Sequence, residues 1–212
     1  YLAELRREGF TRSGVEPGQE AVGADASPVM IGETPGAGVE VGRLLTSPQR
    51  GEMDLIFSFD HLETSGHVRW DEYAYDLNFL KRYYIDYQSR LSSDDWMSLF
   101  FENHDNPRMI SKVNPDPRFR TQLGKTLATI LLTMRGTPFI FQGQEIGAIN
   151  QAFPDETALR DVESLNILKA EGPGAWKKVL AGSRDHARVP MRWNRSENWG
   201  FTKGTPWIKA YD

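Results

Sequence analysis

Apolar positions along the chain fall into short continuous runs, separated by polar, glycine-rich stretches and by a few longer amphipathic segments. Val29-Met30-Ile31 reads as a buried strand that stops at Gly32-Glu33-Thr34-Pro35-Gly36. Three further runs repeat the arrangement. Residues 53–59 end at Asp60-His61, residues 97–101 at Glu102-Asn103-His104-Asp105, and residues 138–141 at Gln142-Gly143-Gln144-Glu145. Helical spacing predicts a helix over 77–91, with Tyr84, Ile85 and Tyr87 supplying apolar surface. A second helix is predicted over 119–134, where Leu123, Leu127, Ile130, Leu131 and Met134 recur until the stop signal Arg135-Gly136. Residues 1–8 read as the tail of an amphipathic helix, with Leu2, Leu5 and Phe10 on its apolar side, and residues 163–170 as another helix. Residues 11–28 read as a loop, and residues 183–200 as a structured loop rich in Arg, Trp, Asn and Pro.

Strands that are continuous apolar runs, alternating with helices, predict a parallel sheet covered by helices. Each of the four strands is followed by a polar cluster, and in α/β folds ligands bind at that end of the strands. No repeat of solenoid period and no low-complexity tract interrupts the pattern.

Composition narrows the function classes. The 212 residues carry 25 Lys+Arg and 29 Asp+Glu, a net charge of −4, with 39% hydrophobic and 25% charged residues. That balance excludes a disordered chain, and the mild acidity argues against nucleic-acid partners or a basic membrane-surface module. No apolar run reaches the roughly 18 residues of a membrane span. The absence of cysteine excludes a disulfide framework, a thiolate metal site and a cysteine nucleophile. With no signal-peptide core at Tyr1-Leu2-Ala3-Glu4, a cytoplasmic location is the expectation. The start at Tyr1, directly in a helical pattern and without Met, reads as a piece of a longer protein.

Two clusters carry candidate chemistry. Glu33 ends an apolar strand; a partly buried acid there would have a raised pKa suited to a general acid, whereas a solvated carboxylate at a loop mouth, or one capping the next helix, would have no catalytic part. Asn103-His104-Asp105-Asn106-Pro107-Arg108 is too polar for packing alone. Asp105 there is a nucleophile, base or metal ligand, with His104 and Arg108 gripping a polar substrate, or else a helix cap paired with Arg108. His61 and His67, near Asp60 and Glu63, lack the register of a zinc site. The glycine-rich Gly32–Gly38 stretch lacks the Lys-Ser or Lys-Thr of a phosphate loop, and no Gly-x-Ser-x-Gly elbow occurs. Arg184-Asp185-His186-Ala187-Arg188 and the six tryptophans suit a surface ion-pair network and ordinary core packing equally, although aromatic rings with Arg and Asp also suit sugars, the rings stacking on sugar faces while the charges bind hydroxyls.

Five strings, in order, resemble the α-amylase superfamily of glycoside hydrolases (family 13), in its oligo-1,6-glucosidase and α-glucosidase branch. They are Val29–Gly36, Phe100–Arg108, Phe141–Gly147, Asp161–Asn166 and Ser183–Trp193. The resemblance implies a (β/α)8 TIM barrel of which this chain covers strands 5 to 8. Residues 1–212 would then be the C-terminal half of the catalytic domain. The N-terminal half and the C-terminal β-domain would be absent, and the missing barrel half would come from the parent chain. It further implies a retaining glycosidase acting on α-glucoside oligosaccharides. Glu33 would be the acid/base and Asp105 the transition-state-stabilising carboxylate. His104, Arg108, Glu163 and Arg188 would bind sugar.

The branch's nucleophile motif, of Gly-Phe-Arg-x-Asp type, does not occur, so the 212 residues alone are expected to be inactive. No cofactor or metal is expected within them, and the branch's calcium site would lie in the missing half. His186, Arg192 and Asn106 stand where the branch more often has Asn, Gln and Gln, which bears on substrate preference. Sucrose isomerases and trehalose-phosphate hydrolases carry the same signatures. A non-catalytic partner subunit of the superfamily would typically have lost the acids that here survive as Glu33 and Asp105.

Overall fold

The computed structural model describes residues 1–11 and 29–211. These form two compact units that share the chain in turns. The first comprises residues 1–11, 29–61, 81–99 and 135–137, the second residues 62–80, 100–134 and 138–211. No described helix is long and apolar enough to cross a membrane.

The first unit is built on parallel pairing. Strand β1 (Ile31–Glu33) lies beside β2 (Leu55–Phe57) in the register Ile31↔Leu55, Gly32↔Ile56 and Glu33↔Phe57. Between them runs α2 (Gly38–Leu45), the crossover a parallel pair requires. Gly42 on α2 is there for close approach, because a Cβ would meet the Tyr87 hydroxyl at 2.9 Å and Ile56 at 3.0 Å. Helix α1 (Leu2–Thr11) is tied down by a two-pronged contact, Arg6 Nη1 and Nη2 donating to Asp54 at 2.8 Å each. In α3 (Leu77–Arg90) the i, i+3 pair Tyr84 and Tyr87 is buried, while Ile85 points to solvent. Strand β3 (Ser98–Leu99) is joined to β2 through Ser98 Oγ, which donates to the Ile56 carbonyl. Thr137 of β4 (Thr137–Pro138) donates its N–H to the Met97 carbonyl at 2.9 Å.

In the second unit α4 (Met109–Val113) and α5 (Arg120–Thr133) pack their buried sides, Met109 and Ile110, Leu127 and Leu131. A second apolar cluster gathers Phe153, Leu159, Leu168, Val179, Val189, Trp199 and Ile208. Its helices are α6 (Val162–Glu171), α7 (Trp176–Gly182) and α8 (Asp185–Arg188). Gly182 lets α7 meet Trp70, whose ring would lie 2.4 Å from a Cβ.

The long helices follow the sequence pattern to within a residue or two, but the strands do not. Residues 53–59, 97–101 and 138–141 shrink to β2, β3 and β4, and the expected four-stranded sheet is a β1–β2 pair and a β3–β4 pair. Burial was legible where the ladder was not: Met97, Phe100 and Phe101 are all buried although only Ser98–Leu99 is strand. A ladder needs a partner offering matched N–H and C=O groups, and Pro138 has no N–H to give. Helix α2 was hidden by its glycines. The expected loop at 183–200 contains α8 and a 3-10 turn at Glu197–Gly200. The loop read over 11–28 lies, from residue 12 onward, outside the described residues.

Candidate functional site

In the first unit, Glu33 closes β1 and is exposed, which is the solvated of the two places its sequence position allows. Among the described residues β1 pairs with β2 alone. The turn that follows is ordered by Asp60, at the end of β2. Its Oδ1 accepts the Gly36 N–H at 3.1 Å, and its Oδ2 accepts the Gly38 N–H at 3.0 Å and the Ser58 hydroxyl at 3.1 Å. Thr34 N–H bonds the Phe57 carbonyl at 3.0 Å. The carboxylate of one strand end thus fixes the loop leaving the other, a long-range effect no local pattern announces.

In the second unit Asp105 is the centre of an ion network. Its Oδ1 accepts from Arg188 Nη2 at 2.8 Å and from Arg184 Nη1 at 3.1 Å. Its backbone carbonyl accepts from Arg69 Nη1 at 2.9 Å. Oδ2 lies 3.4 Å from His104 Nε2, whose side chain is 61% exposed. One oxygen of Asp105 is therefore anchored by two guanidiniums, while the other faces an exposed imidazole with acceptor capacity to spare. Its own N–H is held by Asn103 Oδ1 at 2.9 Å, which also accepts from Asn106 Nδ2 at 2.8 Å.

Glu163 stands in the same network. Its Oε2 accepts from Arg184 Nη2 at 2.6 Å and from Arg69 Nη2. Burial tends to raise its pKa, but the bonds from Arg184 and Arg69 outweigh that and hold it below the ordinary value. The backbone that carries Glu163 is set from below. Buried Asp185 accepts the N–H groups of Arg160 and Asp161 on Oδ2, at 2.6 and 2.8 Å. Asp161 in turn caps α6, accepting from Glu163 N–H at 3.2 Å and Ser164 N–H at 3.3 Å. In Ser183-Arg184-Asp185 adjacent residues thus serve opposite sides, Arg184 the network and Asp185 the buried frame.

Arg108 does not pair with Asp105, and Asp105 caps no helix. The Arg108 guanidinium is buried and donates from Nη1 to Glu102 Oε2 and to the Gln142 carbonyl, both at 2.9 Å. Glu102 Oε1 takes the Met109 N–H at 3.0 Å, and Asn150 Oδ1 takes the Arg108 N–H at 2.8 Å, so two distant side chains cap α4. Burial raises the Glu102 carboxyl above its ordinary pKa despite Arg108. The structure brings Asp105, His104, Glu163 and Arg188 together and leaves Arg108 in the packing behind them. Arg69 and Arg184 join the network unannounced. Arg184 lay in a string read as an ion-pair network, whereas Arg69, stacked 4.5 Å from the Trp70 ring centroid, had no signal in its neighbourhood.

His61 and His67 take structural places. His61 is buried with its ring 5.3 Å from that of Tyr83, and His67 stacks on Tyr73 at 3.9 Å. Among the described residues no group of three His, Cys, Asp or Glu side chains is disposed to hold a metal ion.

The model of the α-amylase catalytic domain matches residues 15–212. The oligo-1,6-glucosidase of Parageobacillus thermoglucosidasius is 42% identical over 98% of the chain. Among solved structures, the trehalose-6-phosphate hydrolase of Bacillus licheniformis superposes over the whole chain with a TM-score of 0.82 at 35% identity. The trehalulose synthase of Pseudomonas mesoacidophila does so with 0.84 at 31%. The chain spans 36% of the length of that oligo-1,6-glucosidase and 37% of each of those solved chains.

Proposed function

Because the chain belongs to the α-amylase catalytic-domain family, we propose that it is the acid- and stabiliser-bearing part of a retaining α-glucosidase, contributing strands 5 to 8 of a (β/α)8 barrel. The observation that carries this reading is the state of Asp105: two arginines anchor Oδ1 and leave Oδ2 open beside exposed His104. A carboxylate so held is fixed in direction, with one oxygen left to accept. That is what accepting sugar hydroxyls, and opposing the positive charge of an oxocarbenium-like transition state, requires. Oδ2 of Asp105 and His104 Nε2 bind adjacent hydroxyls of the glucosyl unit. Arg188 and Glu163 hold the rim, and Arg108 acts from behind through Glu102.

Glu33 has the opposite task. It delivers a proton to the glycosidic oxygen and then takes one from water, so it must change charge during turnover. Its place at a strand end, on a turn braced by Asp60, supports that role. The nucleophile of the double displacement lies outside these 212 residues, about 5 Å from the acid when the site is complete. Short α-1,6- and α-1,4-linked glucosides are the proposed substrates, since the named relatives include oligo-1,6-glucosidases and a glucan 1,6-alpha-glucosidase.

The test is glucose release from isomaltose, maltose, sucrose and trehalose 6-phosphate by the intact protein, beside a Glu33→Gln control. Turnover of isomaltose or maltose that the control abolishes is expected. Preference for sucrose or trehalose 6-phosphate would move the protein to another branch. Turnover unaffected by Glu33→Gln would remove the assignment of the acid.

A further inference from the structure

The second unit contains a cavity of about 170 Å³ whose lining includes none of Asp105, His104, Glu163 or Arg188. Three arginines reach it, Arg108, Arg120 and Arg192, together with the amides Asn150 and Gln151 and the Trp199 ring. Each cation is held differently. Arg120 is fixed by the Ile146 and Gly147 carbonyls. Arg192 lies 4.1 Å from the Trp199 ring centroid. Arg108 is 3% exposed, and its Nε has no hydrogen-bond partner among the described residues.

The wall around Trp199 is strained. Asn198 and Trp199 both have positive φ, 49° and 54°, and are held there because the Trp199 carbonyl accepts N–H bonds from Trp193 and Asn194 at 3.0 and 3.1 Å. Burial, then the fields of Arg120 and Arg195, depress the Arg192 guanidinium below its ordinary pKa. Glu102 offsets Arg108, so the positive charge an entering anion would meet comes chiefly from Arg120 and Arg192. Two of the three departures from the branch pattern meet here. Arg192 lines the cavity, and His186 stands directly behind, its Nδ1 accepting the N–H of cavity residue Gln151 at 2.9 Å.

We propose that this cavity binds a tetrahedral oxyanion, as free phosphate or as the phosphate of a phosphorylated sugar. The planar fork of arginine matches phosphate oxygens in pairs. A cavity of about 170 Å³ has room for a phosphate group. A sugar carrying the phosphate would remain at the mouth. The site is independent of the glucosidase reading, since its readout is binding rather than turnover.

The test is calorimetric titration and thermal unfolding of the intact protein with inorganic phosphate and with glucose 6-phosphate, against chloride at matched ionic strength. Phosphate should bind and raise the melting temperature, and added chloride should weaken the binding steeply. Arg192→Gln, which places the branch's usual residue there and so suits the fold, should weaken binding about tenfold or more. Arg192→Lys, which keeps the charge but not the fork, should weaken binding less than Arg192→Gln does. Glucose 6-phosphate binding at least about tenfold tighter than phosphate would identify a phosphorylated sugar as the ligand; equal or weaker binding would identify free phosphate. Absence of binding by both ligands, binding indifferent to salt, or an Arg192→Gln variant that binds like the parent would overturn the proposal.

Discussion

Glu33 and Asp105 are both carboxylates placed after an apolar run, yet their surroundings differ in kind. Glu33 is exposed at the end of β1, and the nearby Asp60 spends its oxygens on Gly36 and Gly38 amides. Asp105 is gripped by Arg184 and Arg188 on one oxygen and by Arg69 on its backbone. A group that must stay negative is served by guanidiniums, which never titrate in the working range. The difference also separates two uses of arginine in the second unit. Arg184 and Arg188 hold a half-exposed acid in place, while Arg108 neutralises a buried one.

The strongest way to break the comparison is the leaving-group test. Glu33→Gln in the intact protein should lower turnover about 10²- to 10⁴-fold on natural glucosides and far less on activated aryl glucosides, which need little protonation. Asp105→Asn should lower both alike, with little change in melting temperature because its partners remain part-exposed. Equal losses from Glu33→Gln on the two substrate types would erase the distinction drawn between the two acids.

Next in size is the buried pair. Glu102→Gln leaves the Arg108 charge without its counterion in a site 3% exposed, which should cost about 3–5 kcal/mol of stability in denaturant unfolding. A cost under about 1 kcal/mol would mean that the pair is not dry.

His186 sharpens the point that burial, not position in the chain, decides a group's charge. Its Nδ1 accepts the Gln151 N–H and its Nε2–H donates to the Leu180 carbonyl at 2.8 Å, so both nitrogens are satisfied only in the neutral ring. Burial lowers its pKa to about 4. The unfolded chain, with an ordinary value near 6.5, binds the proton first, so stability is present above pH 6.5 and is lost as the pH falls towards 4. The loss should approach ~3 kcal/mol. His186→Asn should flatten that slope in unfolding curves between pH 6.5 and 4; an unchanged slope would assign it to another group.

The smallest effect concerns the anchor itself. Arg184→Gln should free Oδ1 of Asp105 from one of its two anchors, with about a tenfold loss of kcat at neutral pH. A loss in KM alone would make Arg184 a contact for substrate rather than a support for Asp105.

The sequence by itself determined the two long helices, because a 3.6-residue apolar period has no other comfortable solution: Leu127 and Leu131 are buried one turn apart, as the spacing required. It also determined that polar groups cluster after apolar runs, and the motif strings identified the family. It did not determine strand lengths, since Met97, Phe100 and Phe101 are buried without a ladder. Nor did it reveal α2, where Gly42 is demanded by Tyr87 and Ile56 from elsewhere in the chain. Only the tertiary structure decided which arginine meets which acid. Arg108 is three residues from Asp105 but turns to Glu102, while Arg184 and Arg69, 79 and 36 residues away, converge on Asp105. Sequence proximity fixes only where a side chain is attached. A long, flexible, always-charged side chain goes where the desolvated counter-charge and the free carbonyls are, and packing of distant segments places those.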